Sequence, residues 1–269
     1  MIRKRVLGLD WIDKSHGWAF ASLRDEDNTL VATIGCLAIG GEASAIVRNA
    51  DCIVLDAPIG LPDEAEEGCK HRPCDSGART WVGTEQRSSI FAVPYQGELE
   101  EWRRRDQLGE RQKLGHFRGL LPAIHSASLI QQNNKRVLES HPELCFAALL
   151  GKKLPSAASK KTLIGALVRL AILKQRRVSI SLEQLQNQGR IPSDNFVDAI
   201  SMALIAFGWQ INGNLSIICE SNGNPCDWIA RNMPLNNLIA LPPEFRDSRN
   251  AALLTPVEII TLARNGSLI

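Results

Sequence analysis

The chain has 269 residues, 44% apolar and 22% charged, with 20 glycines and 13 prolines, the composition of an ordinary globular protein long enough to bury a sizeable core. Its formal net charge of +2 says nothing about partners, so an argument for nucleic acid has to come from local runs of charge. No window of about 18 consecutive apolar residues occurs, which excludes a transmembrane helix, and the seven scattered cysteines behind an N-terminus without a signal-like stretch point to reduced thiols in the cytoplasm.

In chain order, Arg5–Trp11 (RVLGLDW) is a short β-rich run ending in an acid. Gly17–Leu23 follows after a polar turn, and Thr29–Leu37 after a second turn at Asp25–Asn28, so the three runs predict an antiparallel meander. Gly41–Asn49 offers one short helical stretch. Cys52–Ala57 (CIVLDA) has the almost wholly apolar character of a strand buried in the centre of a sheet; it ends in Asp56 and is stopped by Pro58 and Gly60. From Leu61 to about Asn134 proline, glycine and charged residues are frequent and helical periodicity is weak, which reads as a long insertion on the sheet, of the kind that forms a lid. Regular structure resumes with a strand at Arg136–Ser140 and a helix at Pro142–Leu150. An amphipathic helix at Ser159–Arg176 follows, with Ser159 as its cap. Ser193–Trp209 predicts a helix with Phe196, Ile200 and Phe207 on one face. Beyond Asn212 the sequence is irregular, so the expected division is a domain over 1–211, with its insertion at about 61–134, and a C-terminal extension over 212–269 packed on it.

The acids carry the chemistry. Asp10 and Asp56 end the first and fourth predicted strands, and if those strands are parallel neighbours the two carboxylates emerge side by side at one sheet edge. Asp194 and Asp198 lie four apart on a helix and so share a face. Each acid alone has an ordinary reading as a turn residue, a cap or a dipole partner. Asp198 interrupts an apolar stretch, however, and a buried carboxylate there needs a partner. Like charges so grouped raise one another's pKa unless a cation neutralises them, and an all-oxygen donor set points to Mg²⁺ or Mn²⁺. Two such ions about 3.5–4 Å apart would clamp a phosphodiester, one activating water and one stabilising the leaving oxygen.

The motifs GLDW (Gly8–Trp11), LDAPIGLP (Leu55–Pro62), RPCDSGAR (Arg72–Arg79), RSSIFAVP (Arg87–Pro94), ESHPELCFAALLG (Glu139–Gly151), SKKTLIG (Ser159–Gly165) and DNFVDAISMALIA (Asp194–Ala206) occur in that order. In this the chain resembles the predicted ribonuclease H-like nuclease family catalogued as domain of unknown function 429, over roughly residues 5–210. The resemblance implies an α/β fold with a mixed sheet in the order 3-2-1-4-5. It also implies a nuclease that cuts phosphodiester bonds in DNA or RNA, with Asp10, Asp56, Asp194 and Asp198 as metal ligands. It further adds Glu139 as a fifth catalytic acid.

Arg72, Arg79 and Arg87 fall on matching positions of the family pattern; guanidinium groups there suit phosphate, or serve as structural ties to the acids. His141, at the strand-to-helix junction before Pro142, is a proton shuttle or a capping residue. Lys160 and Lys161 lie in the acid-free stretch Gly151–Arg177, with eight Lys/Arg, and Trp102–Arg118 is a second basic run; either tracks a nucleic-acid backbone or forms a solvated helix face. Cys69, His71 and Cys74 are too cramped for zinc-finger spacing. Two further readings share the fold: an actin-like ATPase relative, and a non-catalytic nucleic-acid-binding protein.

Overall fold

A computed structural model describes residues 5–61, 72–82, 84–90, 93, 95–109, 120–186, 191–212, 216–218, 225–227, 239–241 and 255–266. Strands β1 (Val6–Asp13), β2 (Gly17–Glu26) and β3 (Thr29–Leu37) form the expected antiparallel meander, and β4 (Cys52–Asp56) pairs parallel to β1. A short helix α1 (Ala45–Arg48) precedes β4, and β5 (Val137–Glu139) pairs parallel to β4 on the far side. The order is β5-β4-β1-β2-β3-β6, which contains the expected 3-2-1-4-5 arrangement and extends it by one strand, β6 (Val178–Ile180), parallel to β3. Strand β6 alternates, buried Val178 and Ile180 about exposed Ser179, but three residues are too few for that pattern to stand out in the sequence.

Both faces of the sheet are covered, so β1 is buried at consecutive residues from Val6 to Asp10. On one face Leu7, Leu9, Trp18, Ile53 and Leu55 pack with Ala123, Ala127 and Ile130. Those last three belong to α4 (Leu120–Asn133), inside the segment expected to be an insertion of weak helicity. That segment also holds α2 (Pro73–Val82) and α3 (Gln96–Gln107). The small and polar residues of α4 (LLPAIHSASLIQQN) hide its periodicity; it is the wall of one core face, with Trp18 Nε1 donating to Ser126 Oγ at 2.9 Å and Ser126 in turn donating to buried Glu42.

The other face carries α5 (Pro142–Leu150), α6 (Leu163–Gln175) and α8 (Ser193–Asn212), with α7 (Leu182–Gln186) joining β6 to α8. Helix α6 starts three residues later than its sequence suggests. Thr162, not Ser159, is its cap, with the hydroxyl accepting from Gly165 N at 3.0 Å, and a Cβ on Gly165 would lie 1.9 Å from Ser159 O. In the C-terminal part, β7 (Ser216–Ile218), β8 (Pro225–Asp227) and β9 (Ile239–Leu241) form a separate three-stranded sheet. Helix α9 (Pro256–Gly266) lies against α6, with Lys152 paired to Glu258. No helix among the described residues is long and apolar enough to cross a membrane.

Candidate active site

Strand period and helix contact together position the acids. Alternate residues of β1 and β4 face α8: Val6 and Gly8, then Asp10; Cys52 and Val54, then Asp56. Asp10 pairs directly with Asp56 in the parallel register, so the two carboxylates stand side by side as expected. Asp56 ends β4, whereas β1 runs on to Asp13 in its pairing with β2, so Asp10 marks the end of the β1–β4 ladder rather than of the strand. A Cβ on Gly8 would lie 2.0 Å from Ala199 O and 2.3 Å from Ala203 N, so the α8 backbone rests on β1 at this residue and brings the start of α8 over Asp10. Asn195 Nδ2 donates to Asp10 Oδ2 at 2.7 Å and to Trp11 O at 3.3 Å. On the other side His141 Nδ1 lies 3.0 Å from Asp56 Oδ1.

Burial, reinforced by the charges of Asp198 and Asp56, pushes the Asp10 carboxyl well above the usual range. Burial acts on Asp56 in the same sense, but the hydrogen bond and charge of His141 outweigh it and hold Asp56 below its ordinary value. For His141, burial favours the neutral ring, and the carboxylates of Asp56 and Glu139 reverse this and raise it. Burial and charge thus displace the two neighbouring carboxyls in opposite directions.

Asp198 is fully buried one turn along α8 from Asn195, and both its oxygens are taken. Lys160 Nζ donates to Oδ2 at 2.6 Å and Arg169 Nη1 to Oδ1 at 2.8 Å. Arg169 also reaches Glu143 at 3.4 Å and lies over the Phe146 ring at 4.7 Å. Burial pushes Asp198 up to about 6 against the pull of these two cations. A third group surrounds Arg72. The guanidinium binds Asp75 through Nε (3.1 Å) and Nη2 (2.7 Å), and Glu139 through Nη1 (2.9 Å) and Nη2 (2.5 Å). Glu139 Oε2 also accepts from Ile59 N at 2.6 Å. Burial opposes the charge on Arg72, and Glu139 and Asp75 overcome it, holding the guanidinium firmly protonated.

These contacts sort the residues that the sequence singles out. Asp10, Asp56, Glu139 and Asp198 converge, while Asp194 does not join them. Residues 194 and 195 flank the line of Asp198 on opposite sides of α8, and Asp10 lies on the side of Asn195. The phosphate-binding expectation for Arg72 gives way to the structural alternative, since its side chain is 1% exposed and saturated with protein partners. Arg79 is likewise turned inward, donating to Ile90 O at 2.8 and 2.6 Å. Arg87 and Lys161 are exposed. His141 is the N-cap residue of α5, but its side chain makes no capping bond and turns to Asp56 instead. Of the basic stretch Gly151–Arg177, Lys152, Lys160 and Arg169 are spent on acids of the same chain and Arg176 on Leu149 O. In the second basic run Arg104 and Arg105 pair with Glu101, while residues 110–118 lie outside the described residues, as do Cys69 and His71. The sequence reading missed Asn195, Arg169 and Asp75. Of these only Arg169 had a visible signal, a charge in the middle of an apolar helix.

A cavity of about 280 Å³ opens on this group, with Asp10, Asp56, His141, Lys160 and Asn195 among its lining and an apolar side that includes Trp11, Val93 and Leu120. Two donor sets for a cation follow. Asp75, Glu139 and His141 each offer a ligand atom within 4.8 Å of the others and could hold a metal ion, although Arg72 already supplies a positive charge between the two acids. Asp10 and Asp56, paired in the register and both lining the cavity, have no arginine or lysine bonded to them among the described residues, and their oxygens are of the hard kind that suits a divalent ion. A second ion finds no free carboxylate oxygen on Asp198. No curated protein and no solved structure matches the chain. The family model described as "Protein of unknown function (DUF429)" matches residues 8–221, most of the chain and every part of the site described above, and the protein belongs to that family.

Proposed function

We propose that the protein is a nuclease that hydrolyses phosphodiester bonds in nucleic acid with Mg²⁺ or Mn²⁺ held by Asp10 and Asp56. The observation that carries the reading is the register: two carboxylates paired on adjacent parallel strands, lining a cavity and, among the described residues, bonded to no arginine or lysine, whereas Asp75, Glu139 and Glu143 each have an arginine and Asp198 has both Arg169 and Lys160. Held there, the ion supplies Lewis-acid polarisation of a phosphoryl oxygen and lowers the pKa of a bound water.

The chain's own residues do the rest. Asn195 fixes the rotamer of Asp10 by its bond to Oδ2, and His141 does the same for Asp56. Lys160 places an ammonium at the cavity wall, where it donates to phosphoryl oxygens. The apolar side at Trp11, Val93 and Leu120 offers a surface for the sugar and base. The Arg72 cluster pins Ile59 and Gly60, just after Asp56, through carbonyl bonds of 3.0 Å and so keeps the end of β4 in place.

The test is cleavage of labelled single-stranded, duplex and hybrid DNA and RNA in Mn²⁺ or Mg²⁺, with the Asp10→Asn variant alongside. Cleavage should require the metal and fall to background in the variant. Activity that persists in Asp10→Asn, or in excess chelator, rules the reading out.

A further inference from the structure

The two cations on Asp198 differ in kind. Arg169 is a closed tie: its side chain is 3% exposed, stacked on Phe146 and shared with Glu143 behind the site. Lys160 faces the cavity with its side chain 26% exposed, and its charge acts on Asp10 and Asp56 as well as on Asp198. Its backbone is fixed by the turn that caps α6, where Thr162 Oγ1 bonds Ser159 O at 2.9 Å and Gly165 lets the helix start close against Ser159 O.

A site with two divalent ions needs a third carboxylate that offers an oxygen to the second ion. Asp198, buried beneath the cavity, is near enough for its charge to act on Asp10, and its Oδ2 is held by Lys160 at 2.6 Å. Glu139 is held by Arg72 and by Ile59 N, and at the start of α8 it is Asn195, not Asp194, that bonds Asp10. We infer that the Lys160 ammonium occupies the position of the second divalent ion, so that the site works with one bound metal and one built-in cation. The inference rests on the metal-dependent reading above. The ammonium brings a single charge on a flexible stem, in place of a doubly charged ion whose entry would crowd Arg169. It needs no free metal, and it leaves a mobile donor for the phosphate that enters the cavity.

The test counts ions rather than turnover: Mn²⁺ bound per chain by isothermal titration calorimetry, with electron paramagnetic resonance to distinguish a lone Mn²⁺ from a spin-coupled pair. Wild type should bind one Mn²⁺ with an uncoupled signal. Lys160→Met, which removes the charge and keeps the stem, should bind two with a coupled signal, and Lys160→Arg should stay at one. Two ions in wild type, or one ion with no gain in Lys160→Met, overturns the inference while leaving metal dependence intact. No Mn²⁺ bound by wild type at millimolar concentration refutes the metal-dependent reading itself and the role of Lys160 with it. If Lys160→Met fails to fold, the wild-type count still decides: one uncoupled ion supports the inference and a coupled pair overturns it.

Discussion

Replacing Arg72 by methionine separates the structural role of this arginine from a substrate-binding one. The guanidinium makes two hydrogen bonds to Asp75, two to Glu139 and one each to Ile59 O and Gly60 O, all between 2.5 and 3.1 Å. Methionine keeps most of the stem and removes every one of these bonds. It strands Glu139 and Asp75, 0% and 1% exposed, without their guanidinium, leaving only His141, 3.8 Å from Glu139, on that side. Removing one partner from a buried ion pair costs about 3–5 kcal/mol, and the expected loss lies in that range. The loss depends on pH with a definite sign. Burial already pushes Glu139 up, and Arg72 is the largest influence in the other direction. Without Arg72 the folded-state value rises further above the unfolded value of about 4.3. The folded variant then binds a proton that the unfolded chain releases, so its stability falls as pH rises above about 4.3. Chemical denaturation of both proteins at about pH 5 and about pH 8 should therefore show the larger deficit at the higher pH. A variant within about 0.5 kcal/mol of wild type at both pH values would mean that Arg72 is not an internal tie, and would return it to the phosphate-binding role.

Two more substitutions test how α8 is held over the sheet. Gly8→Ala places a methyl 2.0 Å from Ala199 O, backbone that moves only if the helix moves. The variant should lose about 1–3 kcal/mol, seen as a melting temperature lower by roughly 2–4 °C per kcal/mol, and an unchanged melting curve would contradict the direct contact of α8 with β1. Asp198→Asn leaves Arg169 and Lys160 without their shared carboxylate and should cost about 3 kcal/mol, whereas Asp194→Asn, at a half-buried position outside the cavity, should change stability by less than about 0.5 kcal/mol. Equal effects in the two variants would mean that α8 does not turn Asp198 inward and Asp194 outward.

Much of this protein is written in local pattern. The meander, the apolar β4 ending in Asp56 and the long α8 all follow from period and turn chemistry, because a two-residue alternation or a 3.6-residue stripe depends only on near neighbours. The pairing of Asp10 with Asp56 was likewise legible, since two strands that each carry an acid after an apolar run need only be parallel neighbours in register. Other assignments required the tertiary structure. Nothing local distinguishes Asp194 from Asn195 as the neighbour of Asp10; the angle at which α8 crosses β1 at Gly8 decides it. No spacing rule pairs Arg72 with Glu139, 67 positions away, or Lys160 with Asp198, 38 away. Sequence alone located the acids and suggested that a cation must compensate them. Which acids receive a cation from the chain and which remain open to a metal ion depends on side-chain distances of a few ångströms, and long-range packing fixes those distances.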